Sequence, residues 1–332
     1  MSTEQALLWS IAAAIIPTAV YVMVLWWLDR YEKEPQRLLW SAFIWGAAPA
    51  VILSLVAESV LQIPLADLGK AGAELASSSF LAPVVEELAK GVAVLLILLL
   101  FRSEFDNVLD GIIYGATVGF GFAMTENVFY FMDSFAESGV DGLTIVIFMR
   151  AIVFGLNHAL FTSVFGAALG YTRQTRTGCL RWLAPPLGLL GAMTLHGIHN
   201  LFASLSGEMC FSLVISFLSD WAGVLVILVV LWLSARQEKR WITENLRPEV
   251  ASGLISQADY DMICSYRRRQ AALWRARLRL DRGETRRVDR LTRLATELAF
   301  KLHQGDDKRA RKLREQIAAL NGIPPVQGGT SG

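Results

Sequence analysis

Residues 209–234 read MCFSLVISFLSDWAGVLVILVVLWLS, an apolar run that contains a single charged residue, Asp220. A helix needs about 20 apolar residues to cross the hydrocarbon core of a bilayer, so this run predicts a membrane-spanning helix. The whole chain of 332 residues has the same character, with 54% hydrophobic and 18% charged residues. Because a soluble domain carries about 25% charged residues, the composition excludes an ordinary soluble globular protein.

Further apolar stretches resemble this one, and together they predict an all-α fold, a polytopic membrane helical bundle of about seven spans. The other predicted spans are 6–28, 39–63, 81–101, 109–132, 142–171 and 181–205. Segment 64–80 is rich in Gly, Ser and Ala and is a candidate re-entrant segment.

Basic residues are distributed unevenly over the predicted loops. Arg and Lys occur in 29–38, 102–108 and 172–181, whereas the alternate loops contain only Lys70. Cytoplasmic loops of membrane proteins are enriched in Lys and Arg. We therefore expect a multi-pass protein of the cell (inner or plasma) membrane, with its N-terminus outside and its C-terminus in the cytoplasm.

Charge also divides the chain into two predicted domains, a transmembrane domain at 1–235 and a basic helical cytoplasmic tail at 236–332. The first contains 10 Lys and Arg against 18 Asp and Glu, and the second contains 21 against 12. A pattern of leucines recurs there at helical spacings and predicts a helical hairpin or small bundle with a disordered end. The leucines are Leu273, Leu280, Leu291, Leu294, Leu298 and Leu302. We expect the basic run Arg267–Arg269 to face anionic lipid rather than nucleic acid.

The predicted spans contain many polar side chains, which are rare in membranes and are functional candidates by default. They are Glu86, Glu87, Lys90, Glu126, Asn127, Arg150, His158, His196, His199, Asn200 and Asp220. At 1.5 Å per helical residue, several of them lie within roughly 10 Å of one another along the membrane normal. A shared cavity in the outer half of the membrane follows as a prediction.

Hydrolysis is the chemistry that these residue types favour. A carboxylate such as Glu86 can take a proton from water, a histidine can orient that water, and an amide such as Asn200 can stabilise an oxyanion. The same residues also suit a metal, because Glu86, His158 and His196 form an ordinary zinc ligand set with room for a bound water. Both the zinc-dependent and the metal-independent mechanisms stay open on the sequence.

Four motifs occur in order along the predicted spans and resemble the PrsW family of intramembrane proteases, distant relatives of the CAAX prenyl endopeptidase (CPBP) superfamily. They are E-E-x-x-K at 86–90, F-x-x-x-E-N at 122–127, F-x-x-x-H at 154–158 and H-x-x-x-N at 196–200. The resemblance implies a protease that cleaves a membrane-anchored protein, such as an anti-sigma factor in stress signalling.

The resemblance also implies roles for six residues. Glu86 would activate water beside its neighbour Glu87, and His158 would position the water or protonate the leaving amine. His196 and Asn200 would form the oxyanion site. Glu126 belongs to the element that separates the PrsW type from the prenyl-protease type.

A second function class is a non-proteolytic membrane protein, either a transporter that relays protons through the Glu and His residues or a scaffold. A transporter would be expected to contain an internal repeat of similar spans. The motifs instead occur once each on successive spans, which favours the peptidase. The sequence does not specify the oligomeric state.

Overall fold

The computed structural model describes residues 1–31, 33–175, 178–207 and 209–323, and the predicted disordered end, 324–332, lies outside them. In these residues there are α-helices and short helical turns and no β-strand, so the predicted all-α class is confirmed. The helices are α1 Thr3–Leu28, α2 Gln36–Trp45, α3 Val51–Leu61, α4 Gly69–Ala76, α5 Ala82–Leu100, α6 Val108–Ile147, α7 Asn157–Gln174, α8 Leu180–Ser204, α9 Cys210–Ala251, α10 Gln257–Ile263, α11 Tyr266–Leu278, α12 Arg282–Gln304 and α13 Asp307–Leu320.

Two compact units make up the chain. The first comprises Met1–Leu28 and Glu34–Trp232, and the second comprises Asp29–Lys33 and Leu233–Gly332. The second unit thus includes a five-residue segment that the sequence-based division at residue 235 placed with the membrane domain.

Among the described residues, four helical stretches are long and apolar enough to cross a membrane: Thr3–Leu28, Gln36–Leu61, Val108–Gln174 and Phe211–Ala251. The predicted third and sixth spans coincide with α5 and α8, which are not among the four. Helix α5 carries three charged residues within 19, and α8 contains two prolines, two histidines and an asparagine among its apolar residues. The count of seven spans therefore stays a prediction.

The helices at the predicted fourth and fifth spans end and begin at other residues than predicted. Helix α6 continues past residue 132 to Ile147, with one non-helical residue, Gly139, whose φ of 65° glycine adopts readily. A π-helical turn follows at Phe148–Val153, and α7 begins only at Asn157. Region 142–171 is thus not one helix, and His158 lies in the first turn of α7 rather than in mid-helix.

A row of glycines lets α6 and α7 pack with their backbones in contact. A Cβ on Gly115 would lie 2.6 Å from the backbone oxygen of Thr162, and a Cβ on Gly119 would clash with the backbone oxygen of His158. Gly121 approaches the backbone of Phe43 in the same way. Small residues permit such close packing in membrane bundles, and these glycines bring the backbones of α7 and α2 against α6.

The segment that was a re-entrant candidate is helical. It contains a 3₁₀ turn at Ile63–Leu68, then α4, and then a π-helical turn at Ser77–Leu81 that leads directly into α5. The π-turn places Ser78 and its neighbours beside α8, where the Ser78 hydroxyl lies 3.3 Å from that of Ser204.

The second unit has its own apolar core, built from α12, α13 and the C-terminal part of α9. Its fully buried side chains include Ile242, Leu246, Leu291 and Leu298, so part of the predicted leucine pattern forms the core. Leu280, by contrast, is exposed. The basic run is also split, because Arg267 and Arg268 are exposed while Arg269 is buried.

Candidate active site

Three residues of one helical turn in α5 form the centre of the site. Glu86, Glu87 and Lys90 are all buried, and Lys90 has no exposed surface. Its Nζ atom lies 2.6 Å from Glu87 Oε1 and 3.4 Å from Glu86 Oε2, the neighbours expected at spacings of three and four. One of the two carboxylates offsets the positive charge of the Lys90 ammonium group. The other carboxylate contributes one further negative charge to the cluster.

Glu87 is fully engaged by protein groups. Besides Lys90, its Oε1 atom lies 3.0 Å from Nδ1 of His196, and its Oε2 atom accepts a hydrogen bond of 3.0 Å from the Thr162 hydroxyl. Both oxygens therefore have strong donors within the protein. Glu87 is suited to holding α7 and α8 against α5.

Glu86 is more loosely held. Its Oε2 atom lies 3.8 Å from Nε2 of His196 and 3.9 Å from Nδ1 of His158, which are ion-pair distances rather than hydrogen bonds. It also lines a cavity of about 1390 Å³. A carboxylate with weak protein contacts that faces a cavity is free to bind water.

The two histidines have defined orientations. Nδ1 of His158 lies 3.1 Å from Lys90 Nζ and its Nε2 lies 2.9 Å from Glu126 Oε2. An ammonium group only donates, so Nδ1 accepts and Nε2 carries the proton that it donates to Glu126. In His196 the nitrogen that faces a carboxylate is Nδ1, which lies beside Glu87, and its Nε2 is directed towards Glu86.

Glu126 is brought into the site from α6. Besides His158, it makes a short ion pair with Arg150, and the Arg150 Nε atom donates a 2.9 Å hydrogen bond to Asn127. The guanidinium group also lies 3.7 Å from the ring centroid of Tyr130. Arg150 lies in the π-helical turn before α7, and such turns are frequent at functional sites.

Asn200 and His199 lie on the same cavity but away from the central cluster. The Asn200 amide donates a 2.9 Å hydrogen bond to the Ser78 backbone oxygen, so the predicted oxyanion donor has a partner in this state. His199 Nδ1 lies 2.7 Å from Asp220 Oδ2 and 2.8 Å from the Ser216 hydroxyl.

Sequence reasoning missed three polar contacts of the site. They are Thr162 at Glu87, Ser216 at His199, and Asn157, whose amide lies 3.0 Å from Asp220 and from His199. The spacing of Thr162, four residues after His158 on one helix face, was the available signal. Ser216 offered the same kind of signal, because it lies four residues before Asp220 and its hydroxyl is 3.4 Å from that carboxylate. Asn157 offered none, because it contacts residues that are distant in the chain.

The cluster fits a metal ion by its donors. One ligand atom from each of Glu86, His158 and His196 lies within 4.8 Å of the other two, and all three residues are buried. Two histidines and one carboxylate form a common catalytic zinc set. Glu87 behind His196 and Glu126 behind His158 correspond to the outer carboxylates that orient ligating histidines. The Lys90 ammonium group lies near Nδ1 of His158 and would compete with a metal ion for that nitrogen.

Comparison with known proteins gives the family. Residues 34–234 match the family model described as PrsW family intramembrane metalloprotease. The chain belongs to the PrsW family. The resemblance of the four motifs is thereby confirmed, and every residue of the cluster lies inside the matched region.

Curated relatives carry the name protease PrsW. The chain is 27% identical over 239 residues to that of Bacillus subtilis (strain 168), covering 71% of this chain and 97% of the relative. It is 29% identical over 222 residues to that of Clostridioides difficile (strain 630), covering 66% and 85%. No solved structure matches the chain. This PrsW-family chain is a membrane protein and a peptidase, which confirms the predicted enzyme class.

Proposed function

We propose that this PrsW-family chain is an endopeptidase that hydrolyses a peptide bond of a membrane-anchored protein with water activated by Glu86. The observation that carries the proposal is the difference between the two adjacent carboxylates. Glu87 has three donors at 3.0 Å or less. Among the described residues Glu86 has no donor within 3.0 Å, and it faces the cavity.

The proposed reaction begins with water between Glu86 and Nε2 of His196. The Glu86 carboxylate accepts a proton from this water while the water oxygen attacks the carbonyl carbon of the substrate. Glu86, now protonated, passes the proton to the departing amine when the C–N bond breaks. His196 keeps its Nε2 lone pair available to orient the water because its Nδ1 faces Glu87.

The remaining residues position groups and stabilise charge. Lys90 offsets the negative charge that builds up near Glu86, and Glu126 holds His158 in one ring orientation. We assign oxyanion stabilisation to Asn200, whose amide lines the same cavity and would exchange Ser78 for the substrate oxygen.

A zinc ion is the alternative activator at the same place. It would be held by Glu86, His158 and His196, and when bound it would make water acidic and polarise the substrate carbonyl. Glu86 would then serve as a ligand rather than as the base. The buried donor set supports zinc, and the adjacent Lys90 ammonium supports the metal-independent reaction.

We further propose that the substrate is a single-span protein cut on its extracytoplasmic side, with an anti-sigma factor as the physiological example. The loop charges support a plasma-membrane protein with an outside N-terminus and a cytoplasmic C-terminus. The cavity, lined by Glu58 and Glu126 as well as Glu86, offers a polar space for a peptide bond.

The test uses purified full-length protein in detergent with a single-span reporter peptide. We expect mass spectrometry to find two products that together account for the reporter. If the reaction is metal-independent, the same products should form in the presence of a chelator. A His158→Ala, His196→Ala double variant should lose the activity, and zinc bound by wild type but not by this variant would assign the metal mechanism. Intact reporter under all conditions, with no bound metal, would instead favour the transporter or scaffold.

A further inference from the structure

Helix α11 of the second unit has an apolar stripe that faces outward. Ala271, Trp274 and Leu278 follow one another at spacings of three and four, and Trp274 and Leu278 are 62% and 74% exposed. The opposite face of the helix carries the buried residues Arg269 and Ala276. In a globular domain the apolar stripe of a surface helix normally faces the core, so this helix has the reverse arrangement.

Arginines surround the stripe. Arg267 extends it by one turn, and Arg275 and Arg277 lie on its two sides at helical spacing. In the part of the chain that the structure describes, Arg267 and Arg277 make no ion pair, and Arg275 donates only to the Ala271 backbone oxygen. We call these six residues, Arg267, Ala271, Trp274, Arg275, Arg277 and Leu278, the Trp274 surface.

The residues that follow continue this character. Arg279 is exposed, and Leu280 is 87% exposed with a φ of 54°, a left-handed conformation in which glycine is usual at a helix end. The neighbouring Arg268 differs, because it pairs with Asp261 at 3.2 Å. The exposed apolar side chains are thus accompanied by arginines, of which Arg267 and Arg277 form no ion pair with any described residue.

We propose that the Trp274 surface binds the anionic surface of a phospholipid bilayer. Trp274 and Leu278 insert at the level of the headgroups, and Arg267, Arg275 and Arg277 contact lipid phosphates. Tryptophan is enriched at membrane–water interfaces, the long apolar stems of the flanking arginines let their charged ends reach the level of the phosphates, and arginines without an ion pair complement anionic headgroups.

The chain itself favours the bilayer over other occupants. The apolar run of α9 ends near residue 234, and Tyr266 follows only about thirty residues later, so the surface is tethered to a membrane-embedded segment. A nucleic acid would complement the same arginines, but it would leave the Leu278 and Leu280 side chains without apolar partners. The family match ends at residue 234, and membrane contact by α11 would be a property of this chain beyond its protease domain.

The experiment measures the depth of a nitroxide label in full-length protein reconstituted into nanodiscs. Ala271→Cys places the label on the Trp274 surface, and Glu315→Cys on α13 places it at an exposed position elsewhere in the same unit. Cys179, Cys210 and Cys264 are first replaced by serine, in a background accepted only if its thermal unfolding matches wild type. The nanodiscs contain phosphatidylcholine alone or with about one third phosphatidylglycerol.

We expect the accessibility of the label at 271 to a water-soluble relaxation agent to be about fivefold lower in the anionic discs than in the phosphatidylcholine discs. The accessibility of the label at 315 should be the same in both. Combined Arg267→Gln, Arg275→Gln and Arg277→Gln substitutions should abolish this protection, as should Trp274→Ser with Leu278→Ser. The matched set Lys308→Gln, Arg311→Gln and Lys312→Gln on α13 should not.

Three results would overturn the proposal. The first is equal accessibility of the two labels in both kinds of disc. The second is dipolar broadening between labels at 271 that grows with the number of protein copies per disc, which would assign the surface to a second copy. The third is protection by added duplex DNA but not by anionic lipid.

Discussion

Glu86 and Glu87 are adjacent in the chain but differ in their surroundings, and this difference is what divides the proposed roles between them. Glu87 is held by groups from α5, α7 and α8, while Glu86 faces the cavity. The resemblance of the E-E-x-x-K motif gives Glu86 the role of activating water. The spacing of the motif alone does not distinguish the two carboxylates, because their difference depends on Thr162 and His196, which are distant in the chain.

Loss of the Thr162 hydroxyl tests whether Glu87 acts by holding the cluster. We expect Thr162→Val, which keeps the side-chain shape, to lower the cleavage rate several-fold and stability by about 1 kcal/mol, the usual contribution of one hydrogen bond. Thr172→Val is the control, because its hydroxyl bonds only to the backbone of its own helix. Equal rates for the two variants in the reporter assay would show that the bond to Glu87 is dispensable.

Lys90 is the buried cation on which both carboxylates depend. Removing one member of a buried ion pair costs about 3–5 kcal/mol, so we expect Lys90→Met to lower the midpoint of thermal unfolding strongly and to abolish cleavage. Lys70→Met, at an exposed position, should leave both unchanged. A Lys90→Met protein with the wild-type midpoint would argue that the cluster does not need its charge balanced.

At the scale of helices, the glycine row of α6 sets the position of His158. Its effect was predictable from sequence, because small residues at helical spacing permit close packing. The non-helical Gly139 lies between the predicted spans 109–132 and 142–171, where the sequence predicted a loop, whereas the break at 154–156 was not predictable, since an apolar run gives no signal of a π-helical turn. That turn carries Arg150 to Glu126, so the sequence could nominate both residues without pairing them.

A methyl group on Gly119 tests the packing of α6 against α7. We expect Gly119→Ala to reduce cleavage at least about tenfold, because its Cβ would clash with the backbone oxygen of His158 and displace that residue from the cluster. Gly207→Ala is the matched control, since no atom lies within 4 Å of a Cβ there. Normal cleavage by the Gly119→Ala protein would mean that the helices adjust without moving the site.

At the scale of the whole molecule, the chain combines a family domain with a second compact unit beyond the family match. Arg269 organises that second unit, because its guanidinium donates to the backbone oxygens of Tyr31 and Ile263. Burial lowers the pKa of Arg269 from its usual value. The sequence predicted Arg269 to be part of an exposed basic run, since adjacent arginines do not reveal which of them faces inward.

Replacement of Arg269 tests its structural role. We expect Arg269→Gln to loosen the second unit, because the shorter amide cannot reach both carbonyl groups, and trypsin should then cleave after Arg267 or Arg268 faster than in wild type. Arg267→Gln, at an exposed neighbouring position, should not increase the cleavage after Arg268. Unchanged proteolysis in both proteins would show that the buried guanidinium is not needed.

Both proposed mechanisms make Glu86 essential to hydrolysis, as the base that activates water or as a ligand of the metal that does so. The most direct test compares Glu86→Gln with Glu137→Gln, an exposed carboxylate on α6, for cleavage of the single-span reporter by membrane-inserted protein. We expect no detectable cleavage by the first, at wild-type levels of insertion and folding, and full activity from the second. Cleavage by Glu86→Gln at a rate close to that of wild type would show that hydrolysis does not depend on this carboxylate.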